Sequence, residues 1–262
     1  MGCGLSFFIY NSVMNKKLPL LTTLIGIIFL TACSTSTPVP TQVELPSPTI
    51  APPTPPAPAT ATLTFTPAPT FTPTPIPMYF TEEFNTDLGA WASFQTGGSN
   101  PPVVNLENDS LRVDFSSPDT WYYAIHNANE YSTVSISANI AGTSGSAGLV
   151  CNYSETNGWY EFNIAGDGTY NILFGKSLTE GIAQYIPIAS GNTASLTPGS
   201  LNYEIGLTCG ENALLVLING NLLRRMDVTN FGLSGGRVGI TAASYNEIPV
   251  TVFFNWVKVS EK

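Results

Sequence analysis

The sequence predicts an all-β domain over residues 79–262, built as two stacked antiparallel sheets. Three observations predict this fold class. Short runs alternate apolar and polar residues, which is the period of a strand with one buried face. Clusters of Gly, Asn and Asp separate these runs and predict turns, and no helical periodicity extends beyond one turn. A segment of about 184 residues holds about twelve to fourteen such strands, enough for one domain with a full core.

The clearest strands and turns follow one another along this domain. Strands are predicted at residues 111–115, 131–140, 201–209, 213–218, 237–240 and 250–259. Turns are predicted at residues 107–110, 166–168, 219–221 and 234–236. The turns fall between the alternating runs, as they do in antiparallel sheets.

Charge and composition narrow the class of protein. The chain of 262 residues is 10% charged and has a formal net charge of −9. Gly, Thr, Ser and Asn are abundant, a profile typical of an exported β protein rather than of a cytosolic helical enzyme. The negative balance argues against nucleic acid and anionic lipid as partners, since neither would be attracted.

An export signal precedes the domain. Lys16 and Lys17 form a charged start, and residues 18–30 form an apolar run too short for a comfortable membrane span. The stretch ends in Leu-Thr-Ala-Cys33, which resembles the lipobox of bacterial lipoproteins. The resemblance implies that residues 14–32 are a signal peptide and that Cys33 becomes the lipidated N-terminus. We therefore expect an extracytoplasmic protein, lipid-anchored to a bacterial membrane and facing the cell surface.

Residues 1–13 fit poorly ahead of such a signal, because charged n-regions are short and begin at the initiator. We interpret them as an upstream extension, with translation beginning at Met14. An alternative stays open, since residues 1–6 match the N-myristoylation pattern, with Gly2 acylated and Cys3 as a palmitoylation site. A dual-acyl anchor of that kind would leave the lipobox unexplained.

Residues 33–78 follow as the lipidated cysteine and a linker of low complexity. Residues 34–78 contain 14 prolines and 12 threonines. Proline fixes φ and removes a donor, so we expect polyproline II and neither helix nor sheet. At about 3.1 Å per residue, the stalk could reach roughly 140 Å from the membrane. We interpret it as a disordered spacer; the alternative is a passive linker without a specific reach.

Two cysteines remain within the predicted sandwich. Leu149, Cys151 and Tyr153 share the apolar phase of one strand, and Cys209 lies on the apolar phase of residues 203–209. The common inward orientation, in an oxidising compartment, predicts a buried disulfide between Cys151 and Cys209. The alternative is two unpaired buried thiols.

Six segments of the domain combine aromatic, glycine and alternating apolar residues in a set order. They are residues 82–91, 147–153, 157–170, 214–220, 236–240 and 254–259. This order resembles the concanavalin A-like, or laminin-G-like, jelly-roll domains of bacterial surface lipoproteins, and it covers nearly all of residues 79–262. The resemblance implies a jelly-roll sandwich, a fold that hosts lectins, glycanases and adhesion modules alike.

One predicted strand carries an aromatic and polar face. Along residues 159–164 the even-numbered positions are apolar and are predicted to face the core, while the odd-numbered positions face the other way. An aromatic plane beside a carboxylate and an amide suits a sugar, because the ring stacks on C–H groups and the polar groups bind hydroxyls. An aromatic strand nearby could add a second platform. The predicted ligand-binding residues are Trp159, Glu161, Asn163, Trp121 and Tyr123. The alternative is that the aromatic residues pack under loops or at sheet edges.

Catalytic and metal chemistry find little support in the sequence. The lone histidine, His126, has no nucleophile pattern near it, which predicts a structural role. Retaining glycanases of this fold carry Glu-x-Asp-x-x-Glu on one strand, whereas the nearest match here, Glu107 and Asp109, ends in Arg112 and lies in a predicted turn. Asp167, in Gly-Asp-Gly, suggests calcium, but a hairpin turn explains it as well. We therefore expect no enzyme and no cofactor.

The sequence thus predicts a lipid-anchored surface protein that displays a non-catalytic, carbohydrate-binding sandwich. The expected partners are the membrane, through the Cys33 lipid, and a glycan. Two alternatives belong to other classes. One is an adhesion or scaffold module that binds a surface protein, and the other is a glycoside-processing enzyme.

Overall fold

A computed structural model describes residues 76–262, which contain fifteen strands and one short 3-10 helix, Thr229–Phe231. The first eight strands are β1 Phe80–Glu82, β2 Trp91–Gly97, β3 Val103–Leu106, β4 Leu111–Phe115, β5 Thr120–Tyr131, β6 Val134–Gly142, β7 Ser146–Ser154 and β8 Gly158–Ala165. The remaining strands are β9 Thr169–Thr179, β10 Ile182–Asn192, β11 Tyr203–Cys209, β12 Ala213–Ile218, β13 Asn221–Asp227, β14 Gly236–Ser244 and β15 Val250–Ser260.

The strands form two antiparallel sheets that pack as a jelly-roll sandwich, which confirms the predicted fold class. The eight-stranded sheet has the order β13-β12-β11-β6-β15-β4-β3, with β1 paired to β15. The seven-stranded sheet has the order β10-β9-β8-β7-β14-β5-β2. Sequence-distant strands lie side by side in both sheets, so the core depends on long-range pairing.

Three of the four predicted turns, at residues 107–110, 166–168 and 219–221, connect consecutive strands, whereas residues 234–236 follow the 3-10 helix and lead into β14. Asn108 and Asp109 between β3 and β4 have φ values of 52° and 56°, and Asn219 and Gly220 between β12 and β13 have 50° and 73°. Two successive residues with positive φ make the tight hairpin turns that suit the twist of antiparallel strands. The Glu107–Asp109 stretch is therefore a hairpin turn, as predicted.

The main core fills the space between the sheets, and the predicted disulfide lies within it. Cys151 on β7 and Cys209 on β11 are both fully buried and bonded, with 6.5 Å between their Cα atoms. Since β7 and β11 belong to different sheets, the bond ties the two layers together. The even-numbered positions of β8 also face this core, which confirms the predicted phase of that strand.

One predicted phase is wrong. The alternation placed Tyr153 inward with Cys151, but the register of β7 against β8 shifts between Cys151 and Ser154. Asn152 in this bulge has a φ of 51°, a left-handed conformation that Asn tolerates better than most residues. The extra residue turns Tyr153 to the opposite face of the sheet, where it packs with Trp159.

Several predictions fall on the N-terminal part of the chain. The extension at residues 1–13, the signal peptide at 14–32, Cys33 and nearly all of the linker at 33–78 lie outside the described residues. Among the residues that the structure describes, no helix is long and apolar enough to cross a membrane.

Candidate functional site

The seven-stranded sheet has an outer face, which is turned away from the other sheet. Strands from the edge of the same sheet curl over this face and cover part of it. The edge strands β10 and β2 meet, since the amide of Gly97 donates to the carbonyl of Gly181 at 3.1 Å. The hydroxyls of Thr96 and Tyr185 also lie 2.7 Å apart. The β9–β10 hairpin therefore folds over the outer face and reaches the opposite edge.

Under this hairpin lies a cluster of aromatic side chains that we call the aromatic chamber. Its members are Phe94, Trp121, Tyr123, Tyr153, Trp159 and Tyr185. The ring of Tyr123 stacks on Phe94 at 4.7 Å and meets Trp159 edge-on at 5.3 Å. Tyr185, from the hairpin, lies 5.8 Å from Trp121 and 6.2 Å from Trp159. The outer face thus has a second, aromatic core.

A buried carboxylate lies at the base of the chamber. Glu161 is 1% exposed and accepts hydrogen bonds from Tyr123 OH at 2.9 Å, Trp159 Nε1 at 3.2 Å and Asn163 Nδ2 at 2.8 Å. Burial raises the pKa of Glu161, although these three donors act in the opposite direction. Tyr123 OH also lies 2.8 Å from Tyr185 OH, and burial raises the pKa of Tyr185 to about 12. A chain of hydroxyls thus links the hairpin to the carboxylate.

The structure brings the five predicted ligand-binding residues onto one face. Glu161 accepts hydrogen bonds from Trp159, Asn163 and Tyr123, and Trp121 joins this group through Tyr185. Their surroundings differ from the open platform that we expected. All but Trp121 are buried, because the β9–β10 hairpin covers them. Their role in binding a ligand stays a prediction.

An open groove borders the chamber, with a volume of about 940 Å³. Phe94, Ile125 and Tyr153 give it an aromatic and apolar floor. Its rim is polar and includes Asn127, Glu155, Ser177, Thr179, Glu180 and Arg237. The groove therefore combines flat ring surfaces with hydrogen-bonding groups.

Arg237 is held at the groove by three contacts. Its guanidinium carbon lies 5.2 Å from the centre of the Tyr153 ring. It donates to Asn127 Oδ1 at 2.6 Å and to Glu155 Oε1 at 3.0 Å. The bulge in β7 that turns Tyr153 outward also shifts the register of β7 against β14, between Arg237 and Gly239. One irregularity in β7 thus places an aromatic ring beneath a cation.

Four residues of this region were not predicted from the sequence to belong to a binding site: Phe94, Tyr153, Tyr185 and Arg237. The bulge that exposes Tyr153 has one local signal, Asn152, a residue type that accepts positive φ. Tyr185 lies in a run, residues 182–188, that is apolar at almost every position, so alternation in the sequence does not reveal its inward phase. Its packing against Trp121 depends on contact between the two edges of a sheet, which local periodicity does not report.

The other residues considered from the sequence have structural contacts. Asp167 Oδ1 accepts from both the amide and the hydroxyl of Thr169, which closes the turn between β8 and β9. His126 is buried between Phe80 and Trp91, at ring distances of 4.3 and 5.2 Å, and burial lowers its pKa. Within residues 76–262, no group of three or more His, Cys, Asp or Glu side chains is placed to hold a metal ion.

Comparisons with known proteins show similarity in fold to solved structures, but they identify no family for this chain. No protein-family model and no curated protein sequence matches the chain. Similar solved structures include a glycoside hydrolase family 16 endo-glucanase from Bacteroides ovatus, with TM-score 0.48, 12% identity, and coverage of 69% of this chain and 99% of that one. A β-glucanase from Bacillus licheniformis gives TM-score 0.45, 15% identity, and 70% and 98% coverage. The carbohydrate-binding module CBM66 from Bacillus subtilis gives TM-score 0.44 and 13% identity, with coverage of 63% of this chain and 91% of that one.

These similarities correct one expectation. We expected no enzyme, but glucanases are among the solved structures that share the sandwich arrangement. The prediction of a non-catalytic protein is therefore wrong as an inference from this fold. A shared fold does not by itself assign a reaction, since function depends on the site.

Proposed function

We propose that the outer face of the seven-stranded sheet binds a glycan in the open groove. The observation that carries the proposal is the pairing of Tyr153 with Arg237 on the floor and rim of that groove. Sugar rings present C–H faces, which pack on aromatic planes, and hydroxyls, which need fixed polar partners. The groove offers both on adjacent strands.

The geometry of Arg237 favours a neutral, hydroxyl-rich ligand. Glu155 accepts a hydrogen bond from the guanidinium, so the charge of the arginine is balanced within the groove. The chain as a whole carries a net charge of −9, which opposes an anionic polymer. A neutral glycan meets neither obstacle.

Replacing Arg237 with alanine is expected to weaken glycan binding by about 10- to 100-fold, because hydrogen bonds to charged groups contribute about 1.5–3 kcal/mol. The ligand is first found on a glycan array with the intact protein, and affinity is then measured by titration calorimetry.

Arg112→Ala is the matched control for that experiment. Arg112 also lies over an aromatic ring, Phe253 at 5.8 Å, and forms ion pairs with Glu107 and Asp114. It belongs to the eight-stranded sheet, so its removal should leave affinity unchanged. Equal affinity of both variants and the wild type would place the glycan elsewhere, and a broad array without any bound glycan would reject the proposal.

A second candidate function is glycoside cleavage at the same groove. It is favoured by two carboxylates, Glu155 and Glu180, which both line the groove. Glycosidases use a pair of carboxyl groups on either side of the scissile bond. Release of shorter sugars from an array ligand, abolished in Glu155→Gln, would distinguish cleavage from binding alone.

We also propose that the sandwich is displayed from a bacterial membrane by the lipid on Cys33, with the Pro- and Thr-rich segment as a spacer. The support is the lysine pair, the apolar run and the Leu-Thr-Ala-Cys33 sequence. The intact mass of the mature protein is expected to correspond to a chain that begins at an acylated Cys33. An acylated Gly2, or an unmodified N-terminus upstream of Cys33, would contradict this proposal.

A further inference from the structure

The aromatic chamber contains polar groups that an ordinary core does not bury. Asn163 Oδ1 and Thr241 Oγ1 have no hydrogen-bond partner within residues 76–262, although their residues are 3% and 2% exposed. Nearly all buried polar atoms in proteins are paired, so two unpaired atoms on the face that carries the chamber need an explanation. A second core that served stability alone would be better built from apolar side chains.

The two unpaired groups lie in one row across the sheet. Gly148 on β7 pairs with Asn163 on one side and with Thr241 on the other. Tyr123 continues the row, since it pairs with Thr241 across β14 and β5. An acceptor and a hydroxyl therefore flank Gly148, and Tyr123 lies next to the hydroxyl. This arrangement is suited to a small ligand that offers hydroxyls to both.

The cover of the chamber is a single hairpin. The side chains of Leu178, Ile182 and Ile186 on it are 62%, 56% and 40% exposed, so much of its apolar surface faces solvent. Gly181, at its tip, makes one backbone hydrogen bond to β2. Two hydrogen bonds hold this element to β2, the one at Gly181 and the one between the hydroxyls of Tyr185 and Thr96.

Tyr185 occupies the chamber in the way that a sugar would. Its ring packs against Trp121 and Trp159, and its hydroxyl bonds both Thr96 Oγ1 and Tyr123 OH. A flat ring that also carries a hydrogen-bonding hydroxyl provides the two features by which aromatic and polar groups recognise a sugar.

We propose that the aromatic chamber is an occluded subsite for one neutral sugar ring, which enters when the end of the β9–β10 hairpin beyond Gly175, where β9 no longer pairs with β8, lifts and Tyr185 withdraws. The subsite continues the open groove through their shared residues Phe94 and Tyr153. This inference rests on the proposed function, because the ligand of the chamber is a residue of the glycan in the groove.

The first test measures opening without any ligand. Exchange of the Trp159 indole N–H, which donates to Glu161, is followed by NMR beside the backbone amide of Phe162 in the main core. In the full-length protein we expect the indole proton to exchange at least about tenfold faster than that amide, as local opening predicts. Tyr185→Phe loses two hydroxyl contacts. It should raise the exchange rate of the indole proton about a further tenfold and raise the exchange rate of the Phe162 amide by a smaller factor.

Tyr160→Phe is the matched control, since Tyr160 OH bonds Val228 O on the other face of the same sheet. This variant should change the exchange rates of the Trp159 indole proton and the Phe162 amide proton by the same factor. Equal exchange of the Trp159 and Phe162 protons, with equal responses to both variants, would show that the chamber opens only on global unfolding and would overturn the inference.

The second test supplies the ligand. Methyl glucoside, methyl galactoside and methyl mannoside are added in turn to Tyr185→Ala, or to Tyr185→Phe if the alanine variant does not fold. At least one is expected to shift the Trp159 indole and Asn163 side-chain resonances and to leave Trp256 unchanged. Absence of such shifts while the groove still binds its glycan would overturn the chamber alone. Shifts at Trp159 without glycan binding that depends on Arg237 would overturn the proposed groove alone.

Discussion

Trp159→Ala is expected to lower the free energy of unfolding by about 3–5 kcal/mol, the range for large-to-small changes at buried aromatic residues. Trp159 is fully buried and its ring lies within 6 Å of the Phe94, Tyr123 and Tyr153 rings. The change also removes a donor to the buried Glu161. Denaturant titration of the two proteins gives the difference.

Trp256→Ala on β15 is the matched control, because Trp256 is only half-buried. Trp256→Ala should lower the free energy of unfolding by less than half as much as Trp159→Ala. Equal losses in the two variants would contradict the view that the β9–β10 hairpin and its neighbours form a packed second core over Trp159.

Reduction of the Cys151–Cys209 disulfide is expected to lower stability by about 4 kcal/mol, the loop-closure value for a crosslink of this length. The bond closes 58 residues of sequence separation and joins the two sheets. The measurement compares urea titrations with and without reductant.

The double variant Cys151→Ala/Cys209→Ala is the control, because its titration should not respond to reductant. A wild-type protein that is equally stable in both conditions would show that packing of the sheets, rather than the crosslink, determines stability.

The sandwich was predictable from the sequence because its strands are half-buried. Residues 111–115 and 213–218 alternate cleanly and match β4 and β12, and the Asn-Asp and Asn-Gly turns need only local conformations. The disulfide followed from the same alternation, since Cys151 and Cys209 share the inward phase of their strands. Strand alternation and turn residues were sufficient to predict these features, because each depends on a few neighbouring residues of the chain.

The candidate site was only partly predictable. The alternation of β8 assigned Trp159, Glu161 and Asn163 to one face correctly, but it could not report what covers that face. Burial of these residues depends on Tyr185, whose position is set by contact between the two edges of the sheet. Exposure of a strand face is a tertiary property, and periodicity gives only the phase.

The groove itself shows the limit of strict alternation. A bulge at Asn152 turns Tyr153 away from the core and places its ring beneath the guanidinium of Arg237. The bulge reverses Tyr153 relative to a period of two, whereas Arg237 keeps the outward phase that follows from the core positions of Val238 and Ile240. The pair that carries the proposed function therefore depends on Tyr153, the residue for which strict alternation gives the wrong face.

The central claim, that a glycan binds in the groove on the outer face of the seven-stranded sheet, is tested most directly by NMR mapping of a glycan identified on the array. The ligand is expected to shift the resonances of Arg237 and Tyr153 and to leave those of Arg112 and Phe253 unchanged. Shifts confined to Arg112 and Phe253, on the eight-stranded sheet, would contradict it.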